Sequence, residues 1–275
     1  LGGICTHPDE DRETKMTLHI TEHRNGFPLG RTSVTRHDEV KDNVAISFEV
    51  WKLAEGSSIS LTLEHETAFL LMSGAVSGMI GGEPFSCNRN SLFDESSSCI
   101  HGAAGTLVEA RCETETEFTV YSCDNVKSFE ARVFKPEDVD NEPRGKGQVD
   151  GRCLRYVRTI FDGSTSDPNV ELVLGEVVTM QGGWASYPPH HHHQPEIYHY
   201  RFTEPQGYGH GELGERVLKV RHNDTVKILN PNDHAQCAAP GYGMYYTWVI
   251  RHLPGNPYTV PEFTEEHTWT MDPDA

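Results

Sequence analysis

The chain has 275 residues, 36% of them hydrophobic and 23% charged, with 41 acidic against 23 basic side chains and a formal net charge of −18. That composition buries a core and excludes a disordered chain. No run approaches the roughly 18 apolar residues that span a bilayer, and so acidic a surface repels phosphate backbones, so neither a membrane nor a nucleic acid is expected as a partner.

Residues 1–44 are polar and irregular, broken by Gly26, Pro28 and Gly30, and read as an arm with one or two strands. The opening stretch is polar and acidic, unlike a secretory signal. From residue 45 the pattern changes. Runs rich in Val, Ile, Phe and Thr at 45–51, 58–63, 69–72, 106–112 and 118–122 alternate with Gly, Ser and Asn clusters. Their spacing of about ten residues predicts a β-sandwich or barrel over 45–133. Residues 134–152, rich in Pro, Gly and charge, read as a linker. The strand rhythm resumes at 153–161, 170–180, 196–202, 216–220, 225–229 and 244–251, so 153–275 is expected to form a second barrel followed, from Pro254, by a packed Pro-rich tail. The expected fold is all-β, two barrels in tandem.

Seven cysteines at irregular spacing, with no Cys-x-x-Cys pair, read as reduced thiols in a cytoplasmic protein.

The informative segment is GGWASYPPHHHHQPEIYHYRF, residues 182–202. Side chains alternate along an extended chain, so His190 and His192 share one face while His191 and His193 share the other, and one pair alone can converge on a metal. Glu196 adds a hard oxygen ligand, and mixed N/O ligation suits a divalent ion such as Zn, Mn or Fe. By the same parity Tyr198 and Tyr200 lie on the face of Glu196, where their hydroxyls can meet sugar hydroxyls, and Arg201 lies opposite.

The H-x-H-x₃-E pattern, followed by His234 near Asn230, Pro231, Asn232 and Asp233, resembles the cupin metal motif. Six residues, rather than five, separate Gly183 from His190, and Asp224, Asn230 and Asn232 stand where cupins carry Gly, Pro and Gly. Asn and Asp tolerate tight turns. At closer range, YPPHHHHQPEIYHYRF, PQGYG (205–209) and APGYGMYYTWV (239–249) resemble the 5-deoxyglucuronate isomerase family of inositol catabolism, as do Leu174-Gly-Glu-Val177 and Pro143-Arg-Gly145. The sequence departs from the family at Pro195 and His199, and over 210–215. The resemblance implies a bicupin whose second barrel holds one divalent metal through His190, His192, Glu196 and His234. The first barrel has no such set, which leaves it to support the second or to build a homo-oligomer interface.

The implied reaction is aldose–ketose isomerisation of a sugar acid, 5-deoxyglucuronate to 2-deoxy-5-keto-gluconate, with a proton moved between C1 and C2. Candidates for the base are Glu176, Tyr198, Tyr245 and hydroxide on the metal. Tyr187, Tyr200, Arg201 and Tyr246 are candidate substrate contacts. Two other classes share such a ligand set: an Fe(II) oxygenase, which would consume O₂, and a sugar-binding bicupin without turnover.

Overall fold

The structure is a computed structural model and describes residues 18–229 and 231–272. The first half of the chain supplies β1 (His19–Ile20), β2 (Gly30–Thr35), β3 (Ser47–Leu53), β4 (Ser58–Thr62), β5 (Glu66–Ile80), β6 (Glu83–Arg89), β7 (Cys99–Gly102), β8 (Leu107–Cys112), β9 (Thr116–Cys123) and β10 (Arg132–Phe134). The second supplies β11 (Glu142–Arg144), β12 (Arg155–Phe161), β13 (Leu172–Thr179), β14 (Trp184–His191), β15 (Glu196–Phe202), β16 (Tyr208–Leu213), β17 (Arg216–Arg221), β18 (Thr225–Ile228), β19 (His234–Ala238), β20 (Met244–Arg251) and β21 (Glu262–Phe263). The described residues contain only short 3₁₀ turns besides, and no helix long and apolar enough to cross a membrane.

The first half folds around β5. Its first part pairs with β7 and β9, and its second with β6 and β8, so one strand serves both walls of a sandwich. The crossover lies at Gly74, where φ is +99° and a Cβ would fall 2.4 Å from the Glu115 carbonyl oxygen. Only glycine fits such a corner. Trp51, Phe69, Leu71, Val76, Ile80, Phe85 and Phe118 fill the space between the walls.

The second half has a sheet ordered β1-β18-β15-β20-β13-β12-β11 facing a smaller one ordered β17-β16-β19-β14-β21. The arm contributes to both halves: β2 extends the first sheet beside β3, whereas β1 pairs with β18 of the second. The segment expected as a linker is likewise structured, since β11 within it pairs with β12.

The two halves pack sheet to sheet. Phe48, Val50, Leu70, Met72 and Tyr121 from the first meet Phe161, Leu172, Leu174, Ile197, Tyr245 and Val249 from the second in one apolar layer. Alternation then sorts each strand of the second half. On β15, Ile197, His199 and Arg201 face the first half, while Glu196, Tyr198, Tyr200 and Phe202 face the interior of the second. On β20, Tyr245 and Val249 face the first half, and Tyr246 and Trp248 face inward. All eight residues of β13 and all seven of β15 are buried, because both faces are covered. The six described cysteines are free thiols, five of them buried.

Candidate metal centre and its cavity

The site is built at one end of the second half, where β14, β15 and β19 meet. His190 lies opposite His234 in the β14–β19 register, and Glu196 opens β15. Before His190 the β14–β19 register shifts, between Ala185 and His190, and Ser186 takes φ +52°. Beyond that irregularity the alternation holds. His190 and His192 line a cavity of about 310 Å³ with Glu196 and Tyr198. His191 turns away to Asp233, 2.7 Å from Nδ1 to Oδ1, and His193 is exposed.

His192, Glu196 and His234 are buried, and each offers a ligand atom within 4.8 Å of the others. Glu196 Oε2 lies 3.2 Å from His192 Nε2 and 3.4 Å from His234 Nε2. The imidazoles are oriented from behind: His192 Nδ1–H donates to the Gln194 carbonyl at 2.9 Å, and His234 Nδ1–H to the Asn232 carbonyl at 3.1 Å. A carbonyl only accepts, so these bonds fix the proton on Nδ1 and leave a lone pair on each inward Nε2. Backbone anchoring of this kind is how proteins aim metal-binding histidines. Burial pushes the His234 pKa well below the usual imidazole value, and the neighbouring His190 and His192 add to that, so the ring stays neutral. His234 Nε2 is buried without a hydrogen-bond partner. Two imidazole lone pairs and a carboxylate oxygen therefore converge on one point with no donor between them. A cation resolves that arrangement, and the donor set is compatible with a divalent metal.

His190 adds a third imidazole beside this cluster. Its ring centroid is 4.4 Å from that of His234, and burial lowers its pKa to about 4. Its Nδ1 approaches the Pro188 carbonyl at 3.4 Å, longer than the other two anchors.

The cavity wall continues through Arg155 and Val157 on β12, Val177 on β13 and Trp248 on β20. Trp248 lies over Gly175, where a Cβ would come within 2.3 Å of the indole, so the glycine of the Leu-Gly-Glu-Val segment makes room for the wall. The tail closes one side: Tyr258 packs on His192 at 5.0 Å between centroids, Phe263 on His190 at 5.9 Å, and Thr264 N–H donates to the Pro189 carbonyl.

The other residues expected at the site divide by face. Tyr198 and Tyr187 line the cavity. Tyr200 and Tyr246 lie deeper in the same barrel, with hydroxyls engaged by Gln236 at 2.8 Å and Ser186 at 2.9 Å. Glu176 and Tyr245, expected as bases, and Arg201, expected as a substrate contact, lie outside the cavity. Glu176 accepts from Arg89 at 2.6 and 3.0 Å, from Arg158 at 3.0 Å and from the Tyr245 hydroxyl at 2.5 Å, at the seam between the halves. Burial alone would raise its pKa; the Arg89 and Arg158 guanidiniums outweigh that and hold it at about 2. Arg201 binds Glu117 of the first half. Neighbours in sequence cannot share a strand face, so Tyr245 and Tyr246 were never both able to reach the cavity. Arg155 and the tail residues went unnoticed in the sequence; the alternation of Arg155 with Val157 on β12 was the available signal.

Tandem all-β halves with a His/Glu cluster at the mouth of one define a bicupin with a candidate metal centre. The chain belongs to the KduI/IolB family, whose model matches residues 19–270. It is similar to the 5-deoxy-glucuronate isomerases of Geobacillus kaustophilus, 27% identical with 82% of this chain and 86% of that protein covered, and of Bacillus subtilis strain 168, 26% identical with 82% and 87% covered. Among solved structures, an IolB-like protein from Salmonella typhimurium LT2 superposes with a TM-score of 0.78 at 25% identity, covering 89% of this chain and 96% of that one. Bacillus subtilis oxalate decarboxylase shares the fold alone, with a TM-score of 0.62 at 10% identity, covering 97% and 88%.

Proposed function

We propose that this chain is a metal-dependent aldose–ketose isomerase that converts 5-deoxyglucuronate to 2-deoxy-5-keto-gluconate in inositol catabolism, and that His190, His192, Glu196 and His234 hold its single divalent ion. The observation that carries the reading is the convergence of three lone-pair donors, His192 Nε2, His234 Nε2 and Glu196 Oε2, on one buried point. A divalent ion held by these residues would supply Lewis-acid polarisation of a carbonyl, the chemistry that aldose–ketose isomerisation draws on. The metal is taken to be Zn, Mn or Fe.

The chain's own residues do the rest. Gln194 and Asn232 keep the imidazoles aimed through their carbonyls. Tyr198 stands on the cavity wall, its ring 5.9 Å from that of His234. Burial raises its pKa well above the usual phenol value, with Glu196 adding to the effect, so it stays protonated and donates to a substrate oxygen. Trp248 and Tyr258 line the cavity, with Tyr258 packed on the His192 ring. The free buried thiols support a reducing, cytoplasmic setting. The test is an NMR assay of the purified protein with 5-deoxyglucuronate, run with elemental analysis. Keto-acid product and bound metal are expected; no product from metal-loaded protein ends the reading.

A further inference from the structure

The fold takes five described arginines out of open solvent. Four of them lie against a carboxylate: Arg89 and Arg158 on Glu176, Arg201 on Glu117 and Arg251 on Glu171. The fifth is Arg155, and it lies on the wall of the metal-site cavity. Its Nη1 donates to the Cys153 carbonyl at 3.0 Å and its Nη2 to the Tyr187 carbonyl at 3.1 Å, so the guanidinium is held in place by backbone alone. Neither bond neutralises its charge. Burial pushes its pKa down, whereas the carboxylate-paired Arg89 is pushed up.

The other charged groups of the cavity are already engaged. Arg144 pairs with Glu142 at 2.8 Å, the Asp162 carboxylate accepts from Ser164 and Thr165, and Glu196 faces the histidines. Glu142 reaches the Arg155 guanidinium only through space, and a half-buried cation with no carboxylate in contact is costly unless a ligand completes it. A planar guanidinium fixed by two of its donors presents the remainder as a ready fork for a carboxylate.

We infer that Arg155 anchors the carboxylate of the sugar acid, and so selects acids over neutral sugars, while the carbonyl end reaches the His/Glu cluster. This rests on the isomerase reading for the identity of the ligand, but not for the presence of an anion site.

Equilibrium binding tests it without turnover. Two probes suffice: the alditol acid obtained by reducing the aldehyde of 5-deoxyglucuronate, and the neutral 5-deoxyhexitol with a hydroxymethyl group in place of the carboxylate. Calorimetry on metal-loaded wild-type protein is expected to favour the acid by about 100-fold, the range of a desolvated charge pair. Arg155→Gln should bind both alike, with unchanged metal content and unchanged affinity for the neutral probe. Arg155→Lys keeps the charge but loses the fork, and should retain part of the preference; it also serves if the glutamine variant does not fold. A wild type that binds both probes equally overturns the inference, as does either variant keeping the full preference. Selective acid binding by a protein that fails to isomerise 5-deoxyglucuronate would defeat the isomerase reading and leave Arg155 standing. Isomerase activity with preference intact in Arg155→Gln would do the reverse.

Discussion

His190 and His234 stand directly across from each other in the β14–β19 register, their ring centroids 4.4 Å apart, although 44 positions separate them in the chain. The first prediction follows from that pairing. His234→Ala should lower metal content and isomerase activity together, as should His190→Ala and His192→Ala, whereas His191→Ala and His193→Ala should leave both unchanged. Elemental analysis of the five variants decides it; equal loss in all five would show that the alternation does not choose the ligands.

One ion per chain is the second expectation. The interior of the first half is filled by Trp51, Phe69, Phe85 and Phe118 where a ligand set would have to stand. Anomalous scattering should locate a single transition metal, and a second fully occupied ion among residues 45–132 would contradict the prediction.

Tyr198→Phe should remove a proton donor while leaving the ligands in place. We expect kcat to fall about 100-fold, within the range of general acid–base effects, with metal content unaltered. An active variant would move the proton donor elsewhere.

Glu176 should matter to folding rather than to chemistry. Replacing it by leucine strands Arg89 and Arg158 at the seam, a loss of about 3–5 kcal/mol. Thermal unfolding should show the drop, while the folded fraction keeps its metal. A variant of normal stability without activity would return Glu176 to the reacting centre.

The fifth prediction concerns pH. Burial, and then the positive charge of Arg201, lower the His222 pKa to about 4, and its Nδ1 accepts from the Phe202 N–H at 3.2 Å, which protonation of that nitrogen would break. An unfolded histidine titrates near 6.5. Between those values the unfolded chain binds the proton and the folded one does not, so stability falls as pH drops from about 6.5 towards 4. Melting temperatures across that interval should decline in wild type and less steeply in His222→Gln. Parallel curves would assign the decline to other groups.

Much of this was legible in the letters. Alternation along residues 196–202 separates Glu196, Tyr198 and Tyr200 from Ile197, His199 and Arg201, and the two strands 196–202 and 244–251 were read with their observed bounds. The histidine parity needed only the extended chain. What was not legible is which face of β13 and β20 looks inward. Their residues are buried almost throughout, because the first half covers what would otherwise be a solvated, polar face. With the polar alternation gone, Glu176 reads as a pocket acid as readily as a seam acid, and only strand pairing tells them apart. His234 was expected at a turn and instead begins β19; Asn230, part of that expected turn, lies outside the described residues.

The tail carries a consequence of its own. Tyr258, Val260, Pro261 and Phe263 form one side of the cavity and supply no ligand atom to the His/Glu cluster, though Tyr258 and Phe263 pack against His192 and His190. Admission and reactivity are thus housed in separate stretches of sequence. Exchanging Val260 or Pro261 changes the outline of what enters while His192 and His234 stay aimed by Gln194 and Asn232, so this barrel can be re-tailored to a different guest without rebuilding the metal centre.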